Sequence, residues 1–117
     1  MASGFREFQA SVRRQDGTAI VELSGVMDGS AEQLLNSAYA EATSSPPERL
    51  LLNFADVYYI NSTGIALIVS ILAQARKAHM PLITAGLSEH YQEIFRITRL
   101  ADFMSIYPDE AAALAAA

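Results

Sequence analysis

The chain has 117 residues, a net charge of −5 and no cysteine. That length makes one ordinary domain able to bury a core without staples. The missing cysteines exclude disulfides, thiolate nucleophiles and Cys-ligated metals, and the acidic balance argues against nucleic acid or an anionic membrane as partner.

Met1 to Glu7 lacks the apolar stretch of a signal peptide. The longest apolar run, Ile65 to Ala73, is broken by Ser70 and is far shorter than a bilayer span. These features predict a cytoplasmic protein without membrane insertion, organised as a single domain over residues 1–117.

Phe5 to Val12 roughly alternates, with Phe5, Phe8, Ala10 and Val12 apolar, and reads as a first strand. Asp16 and Gly17 are a strong hairpin signal, and Ala19 to Leu23 reads as the returning strand. Ser24 to Gly29 reads as a loop. Ser30, with Gln33 three residues on, predicts a capping box. It opens a helix to about Thr43 whose inner face is Leu34, Leu35, Ala38 and Ala42. Pro46 and Pro47 break it. Arg49 to Phe54 is a continuous apolar run, the pattern of a strand covered on both faces by helices.

Asp56 to Ile60 continues in strand-type residues and stops at Asn61, Ser62, Thr63 and Gly64. A helix then begins at once. Ile65, Ile68, Leu72 and Ala75 are spaced as its buried stripe. Leu67, Val69 and Ile71 are apolar too, which predicts a helix wet on a narrow side. Its excess apolar side chains suit either burial under a neighbour or a partner helix. Arg76, Lys77 and His79 end it, where cations suit the dipole. Pro81 to Gly86 reads as a strand, and Ser88 caps a third helix with Tyr91, Ile94, Phe95 and Thr98 inward. Phe103 to Tyr107 reads as an edge strand. Pro108, Asp109 and Glu110 open a last alanine-rich helix. The order is β-β-α-β-α-β-α-β-α. It predicts an α/β fold with a mixed, mostly parallel sheet of about five strands and about four helices.

The seam at Asn61 to Gly64 has a plain reading and a functional one. Asn, Ser and Thr are preferred helix caps, and glycine permits a tight turn. Yet ligands of open α/β sheets meet the protein between a strand's carboxyl end and the following helix. The free N–H groups and partial positive charge there would also stabilise a phosphate on Ser62.

Other chemistries find little support. Ser62 has no Gly-x-Ser-x-Gly elbow, and His79 and His90 fall at helix ends where solvated surface explains them. No His and carboxylate cluster has metal-ligand spacing. Gly25 and Gly29 do not form a phosphate-cradling loop, and no Walker lysine follows Gly64. Tyr58 and Tyr59 lack the basic surround of a base-stacking platform. No catalytic residue, metal or cofactor is expected.

The segment "LLNFADVYYINSTGIALIV" resembles the signature of STAS domains of the anti-sigma factor antagonist type: an apolar strand, an acidic residue, then Asp-Ser-Ser/Thr-Gly and an apolar helix. "VELSGVMDGSAEQL" is similar to the family's strand, Gly-x-x-Asp and helix. "PLITAGLSEHYQEIFRITRLADFMSIYPDEAAAL" is similar to its closing elements. The likeness covers nearly the whole chain in order.

It implies a non-catalytic regulatory domain that binds an anti-sigma factor, itself a serine kinase, and is released when the kinase phosphorylates it. A metal-dependent serine phosphatase restores it. By this resemblance Ser62 is the phosphoacceptor, and Thr63 is the second hydroxyl, usually unmodified. Asp28 matches the acidic residue of the first loop and Asp56 the one before the apolar lead-in. The same resemblance implies a partner-binding surface of Asp28, Asn61, Thr63, Gly64 and Ile65. Asn61 departs from the family's usual aspartate, keeping the capping oxygen and losing the charge. Within the same family a scaffold or accessory subunit of a stress-sensing or lipid-transport assembly, indifferent to Ser62, is the alternative. The residues leave the oligomeric state open, a homodimer included.

Overall fold

The computed structural model describes residues 7–116. Asp16 and Gly17, at φ of 51° and 83°, make the tight turn their types predict. The turn joins β1 (Gln9–Gln15) to β2 (Thr18–Met27) as an antiparallel pair. The alternation predicted from Phe5 begins later than expected. Phe8 is buried just ahead of the strand, and Phe5 lies outside the described residues, as do the first six residues of the expected leaderless terminus.

After β2 come a 3-10 turn (Gly29–Ala31), α1 (Glu32–Thr43), β3 (Arg49–Ile60), α2 (Ser62–Lys77) and β4 (Leu82–Ala85). Then follow α3 (Glu89–Ile97), a second 3-10 turn (Leu100–Asp102), β5 (Ser105–Tyr107) and α4 (Glu110–Ala115). The sheet runs β1-β2-β3-β4-β5, with every pair beyond the first parallel. This is the predicted mixed α/β sheet with four helices.

Each parallel crossover steps the same way across the sheet, so crossovers of one hand place their helices on one side. Leu35, Ala38 and Ala42 of α1, Ile68, Ile71, Leu72 and Ala75 of α2, and Tyr91 and Phe95 of α3 accordingly share one core. Val21, Leu23, Leu50, Leu52 and Leu82 meet them from the sheet. The alternate residues Ile20, Leu51 and Ile83 point to the other face, where Ala113 and Leu114 of α4 cover them. Leu50, Leu51 and Leu52 are therefore all buried, as a run covered on both sides must be.

The short α4 is held at both ends. Glu110 accepts from Arg13 Nη2 at 2.5 Å and from Asn53 Nδ2 at 3.0 Å. Arg49 donates to the carbonyls of Ala113, Leu114 and Ala116, where cations suit a helix end. The Arg13 guanidinium holds the Glu110 carboxyl below its ordinary range, against an opposing push from burial.

Several local expectations change. Ser24 to Met27 is strand, not loop. It pairs with Asp56 to Ile60 of β3 through register shifts at Glu22/Ser24 and Gly25/Val26, so a bulged ladder replaces the expected break. Ser30 does not cap α1. Asp28 caps the 3-10 turn instead, accepting from the Ser30 N–H at 2.9 Å. Leu34 is 44% exposed, because α1 turns Leu35 rather than Leu34 to the sheet. Thr98 is exposed, and its hydroxyl donates back to the Ile94 carbonyl at the end of α3. In α2 the inner face is Gly64, Ile68, Ile71, Leu72 and Ala75, while Ile65 is half-buried. The helix is wet along a broad side, with Ala66, Val69, Ser70, Ala73 and Gln74 exposed, so none of the described residues buries its outer face. The edge strand is shorter than Phe103 to Tyr107: Phe103 follows the second 3-10 turn and is half exposed, its ring 4.6 Å from the Arg76 guanidinium carbon.

Candidate functional site

Ser62 stands at the carboxyl edge of the sheet, where β3 ends and α2 begins. The residue before it does the capping. Asn61 is extended (φ −92°, ψ −177°), and its Oδ1 accepts from the Gly64 N–H at 2.9 Å. Its own carbonyl accepts from Ile65 N–H at 2.9 Å, the first bond of the helix ladder. Asn61 therefore serves as N-cap in the ordinary way. The plain reading of the seam as a helix cap therefore holds, with Asn61 rather than Ser62 as the capping residue. Ser62 and Thr63 occupy the first turn, and both are exposed. Helix geometry leaves their amides without an intrahelical acceptor.

The end of β2 is laid against this turn. The Asn61 N–H donates to the Met27 carbonyl at 3.2 Å. A Cβ added at Gly64 would fall 2.2 Å from that same Met27 oxygen and 2.9 Å from Ile60 Cγ2. Only glycine allows the helix to start this close to β2. A Cβ on Gly29 would lie 3.5 Å from Thr63 Cγ2, so the loop after β2 adjoins the motif.

Asp28 stands in that loop. Its carboxylate accepts from the Ser30 hydroxyl at 2.5 Å and from the Ser30 N–H at 2.9 Å. The hydroxyl first, and then the N–H, hold its pKa below the ordinary value. The structure thus brings the loop that carries Asp28, through its neighbours Met27 and Gly29, against Asn61, Thr63 and Gly64, next to the exposed Ser62 and half-buried Ile65. Asp56 is elsewhere. It lines a polar concavity of about 240 Å³ with Ser11, Glu22, Ser24 and Asn53. Met27 and Gly29 belong to the site and were not among the expected residues. Their contributions are a backbone carbonyl and a close approach, which leave no side-chain signal in a sequence.

The arrangement offers an exposed serine on a helix first turn beside a neutral cap, with the loop that carries Asp28 adjoining Thr63. His79 and His90 are exposed, at the end of α2 and the start of α3 respectively. Among the described residues no three His, Cys, Asp or Glu side chains cluster as metal ligands. No helix of these residues is long and apolar enough to cross a membrane.

The sequence model of the family described as STAS domain matches residues 9–113. Bordetella bronchiseptica BtrV, named as an anti-sigma factor antagonist, is 28% identical over 93 residues, covering 80% of this chain and 78% of BtrV. The crystal structure of an anti-sigma factor antagonist from Mycobacterium paratuberculosis superimposes with a TM-score of 0.80 at 18% identity, over 94% of this chain and 93% of the other. The Bacillus cell fate determinant SpoIIAA in its phosphorylated form superimposes with a TM-score of 0.69 at 18% identity, over 92% and 96%. At such identities the two structures show a shared fold.

Proposed function

The chain belongs to the STAS domain family, and on that premise we propose that it is an anti-sigma factor antagonist switched by phosphorylation of Ser62. It is a regulatory binding domain of the cytoplasm, with no catalytic group of its own. Its partner is an anti-sigma factor that is also a serine kinase. The surface around Asp28, Asn61, Thr63, Gly64 and Ile65 docks there while Ser62 carries a free hydroxyl.

One observation carries this reading. Asn61 takes the capping bond, which leaves the Ser62 hydroxyl exposed and free to react. The likeness to BtrV and to a fold solved in a phosphorylated form supports it.

Mechanistically, the Ser62 oxygen attacks the γ-phosphorus of ATP held by the kinase. An O–P bond forms, the bond to the β–γ bridging oxygen breaks, and ADP departs. The hydroxyl proton passes to a general base of the kinase. The new group brings about −1.5 to −2 charges. The free first-turn amides accommodate it on this chain. An interface shaped around a hydroxyl must bury it unpaired. A loss of about 3–4 kcal/mol, typical of an uncompensated buried charge, weakens binding roughly a few hundredfold. A serine phosphatase, acting transiently, hydrolyses the ester and restores the hydroxyl.

The test is incubation of the chain with its anti-sigma kinase and Mg·ATP, followed by mass-spectrometric mapping. Modification at Ser62 is expected, with partner capture kept by Ser62→Ala and abolished by Ser62→Asp. Equal capture by both variants would replace the switch with a scaffold whose binding ignores Ser62.

A further inference from the structure

β3 outruns one of its neighbours. It pairs with β2 as far as Ile60, but with β4 only from Leu50 to Asn53. Along an extended strand, both backbone polar groups of one residue point to the same side, and those of the next residue point to the other. The Asn61 N–H reaches Met27 in β2. The N–H and C=O of Ile60 therefore face away from β2, past the point where β4 has ended. Ile60 is 5% exposed, so these groups need a protein partner.

The Tyr91 hydroxyl meets both. It accepts from the Ile60 N–H at 2.8 Å and donates to the Ile60 carbonyl at 3.3 Å. One phenol thus stands in for one residue of a missing strand. A phenol can donate and accept at once, and phenylalanine can do neither. Tyr91 is itself 7% exposed, in the first turn of α3, with its N–H held by Ser88 Oγ.

Ile60 is two residues from Ser62. Its side chain also packs where α2 starts, against Gly64. Whatever holds Ile60 holds the Asn61 cap and the orientation of Ser62. We propose that Tyr91 is a positioning residue for Ser62, fixing the end of β3 from α3 so that the hydroxyl is presented in line for phosphoryl transfer. This rests on the reading of Ser62 as phosphoacceptor. Tyr91 touches no reacting atom, and its effect is geometric. A displacement of about 1 Å at a reacting group can cost on the order of a hundredfold in rate.

The experiment uses the full chain as wild type, Tyr91→Phe and Tyr39→Phe, the last removing a hydroxyl from half-buried α1. Amide exchange is read residue by residue. In the wild type the Ile60 amide exchanges as slowly as those of Leu51 and Leu52. Rapid exchange there overturns the proposal without any variant. In Tyr91→Phe the Ile60 amide exchanges at least about tenfold faster, as loss of a buried partner requires, while Tyr39→Phe leaves it unchanged. With the kinase that modifies the wild-type chain and Mg·ATP, Tyr91→Phe lowers kcat for Ser62 by about ten- to a hundredfold at unchanged KM. Faster Ile60 exchange with unchanged kcat overturns the positioning role. A wild-type chain that its kinase leaves unmodified strikes the reading of Ser62 instead, and exchange alone then decides whether Tyr91 holds the end of β3.

Discussion

Replacing Gly64 with alanine sets two effects against each other. Gly64 lies inside α2, where alanine is favoured over glycine by about 1 kcal/mol. Propensity alone predicts a more stable protein. Sterics predict the opposite. The new Cβ would lie 2.2 Å from the Met27 carbonyl oxygen and 2.9 Å from Ile60 Cγ2. The first contact is about 1.3 Å or more inside an ordinary approach, judged from carbon contact distances of roughly 3.5–4 Å. The offending atom is backbone, itself bonded to the Asn61 N–H, so it cannot swing aside as a side-chain tip would. The start of α2 must instead lift off β2. Overpacking of this kind costs about 1–3 kcal/mol, and a backbone collision belongs at the upper end. Subtracting the propensity gain leaves a net loss of about 2 kcal/mol. For a domain of this size that lowers Tm by roughly 8 °C. Thermal and urea unfolding of the two proteins measure it. A Gly64→Ala chain as stable as wild type, or more so, would refute the reasoning, because it would mean that helix propensity had outweighed the contact with Met27.

The cap makes a second, opposed pair. Asn61→Ala removes the acceptor for the Gly64 N–H and costs about 1 kcal/mol. Asn61→Asp keeps the acceptor and adds a charge at the helix start, for a gain of about 0.3–1 kcal/mol near neutral pH, so urea midpoints should fall in the order Asp, Asn, Ala. At the other end of the fold, Glu110 links stability to pH. Its folded pKa is depressed by Arg13, so its contribution is fully present above the unfolded value and is lost as pH falls through the folded one. Wild type should therefore exceed Glu110→Gln in urea midpoint by a constant margin near neutrality, and the margin should shrink as pH drops below 4.5. A margin that persists through acid unfolding would sever the link to the Arg13 pair.

The parts of the fold legible in the sequence were those decided by neighbours in sequence. Asp16 and Gly17 make the turn that their backbone preferences favour. Leu50 to Leu52 announce a strand buried on both faces because no residue between them suits water. One misreading has its cause in a partner far along the chain. Ser24 and Gly25 look like loop until β3 arrives beside them, and a bulge at Gly25, φ 88°, then absorbs their irregular register. Ser30 looked like the cap because a capping box is a local pattern, whereas the 3-10 turn that intervenes moves the cap to Asp28. In the site, the strand-to-helix junction could be read directly. The Met27 carbonyl beneath Gly64 and the Tyr91 hydroxyl on Ile60 could not, since a backbone oxygen carries no residue signature and a tyrosine 31 positions away looks like any core aromatic.

On the switch proposed for Ser62, the asparagine at position 61 bears on where the cost of modification falls. An aspartate at the cap would place a second carboxylate beside a phosphorylated Ser62, and part of the modification's cost would fall on the domain itself. With asparagine the capping bond survives unchanged and the repulsion is absent. The remaining local acid, Asp28, keeps its charge, its pKa held down by the Ser30 hydroxyl and then the Ser30 N–H. The Ser62 and Thr63 amides face an incoming anion with no intrahelical claim on them. On the proposed switch, a phosphate at Ser62 meets first-turn amides that favour it and one nearby acid rather than two. The smaller that internal cost, the more of the free-energy difference between the two proposed states falls on the complex, which is the condition for a modification to break an interface without unfolding the protein that carries it.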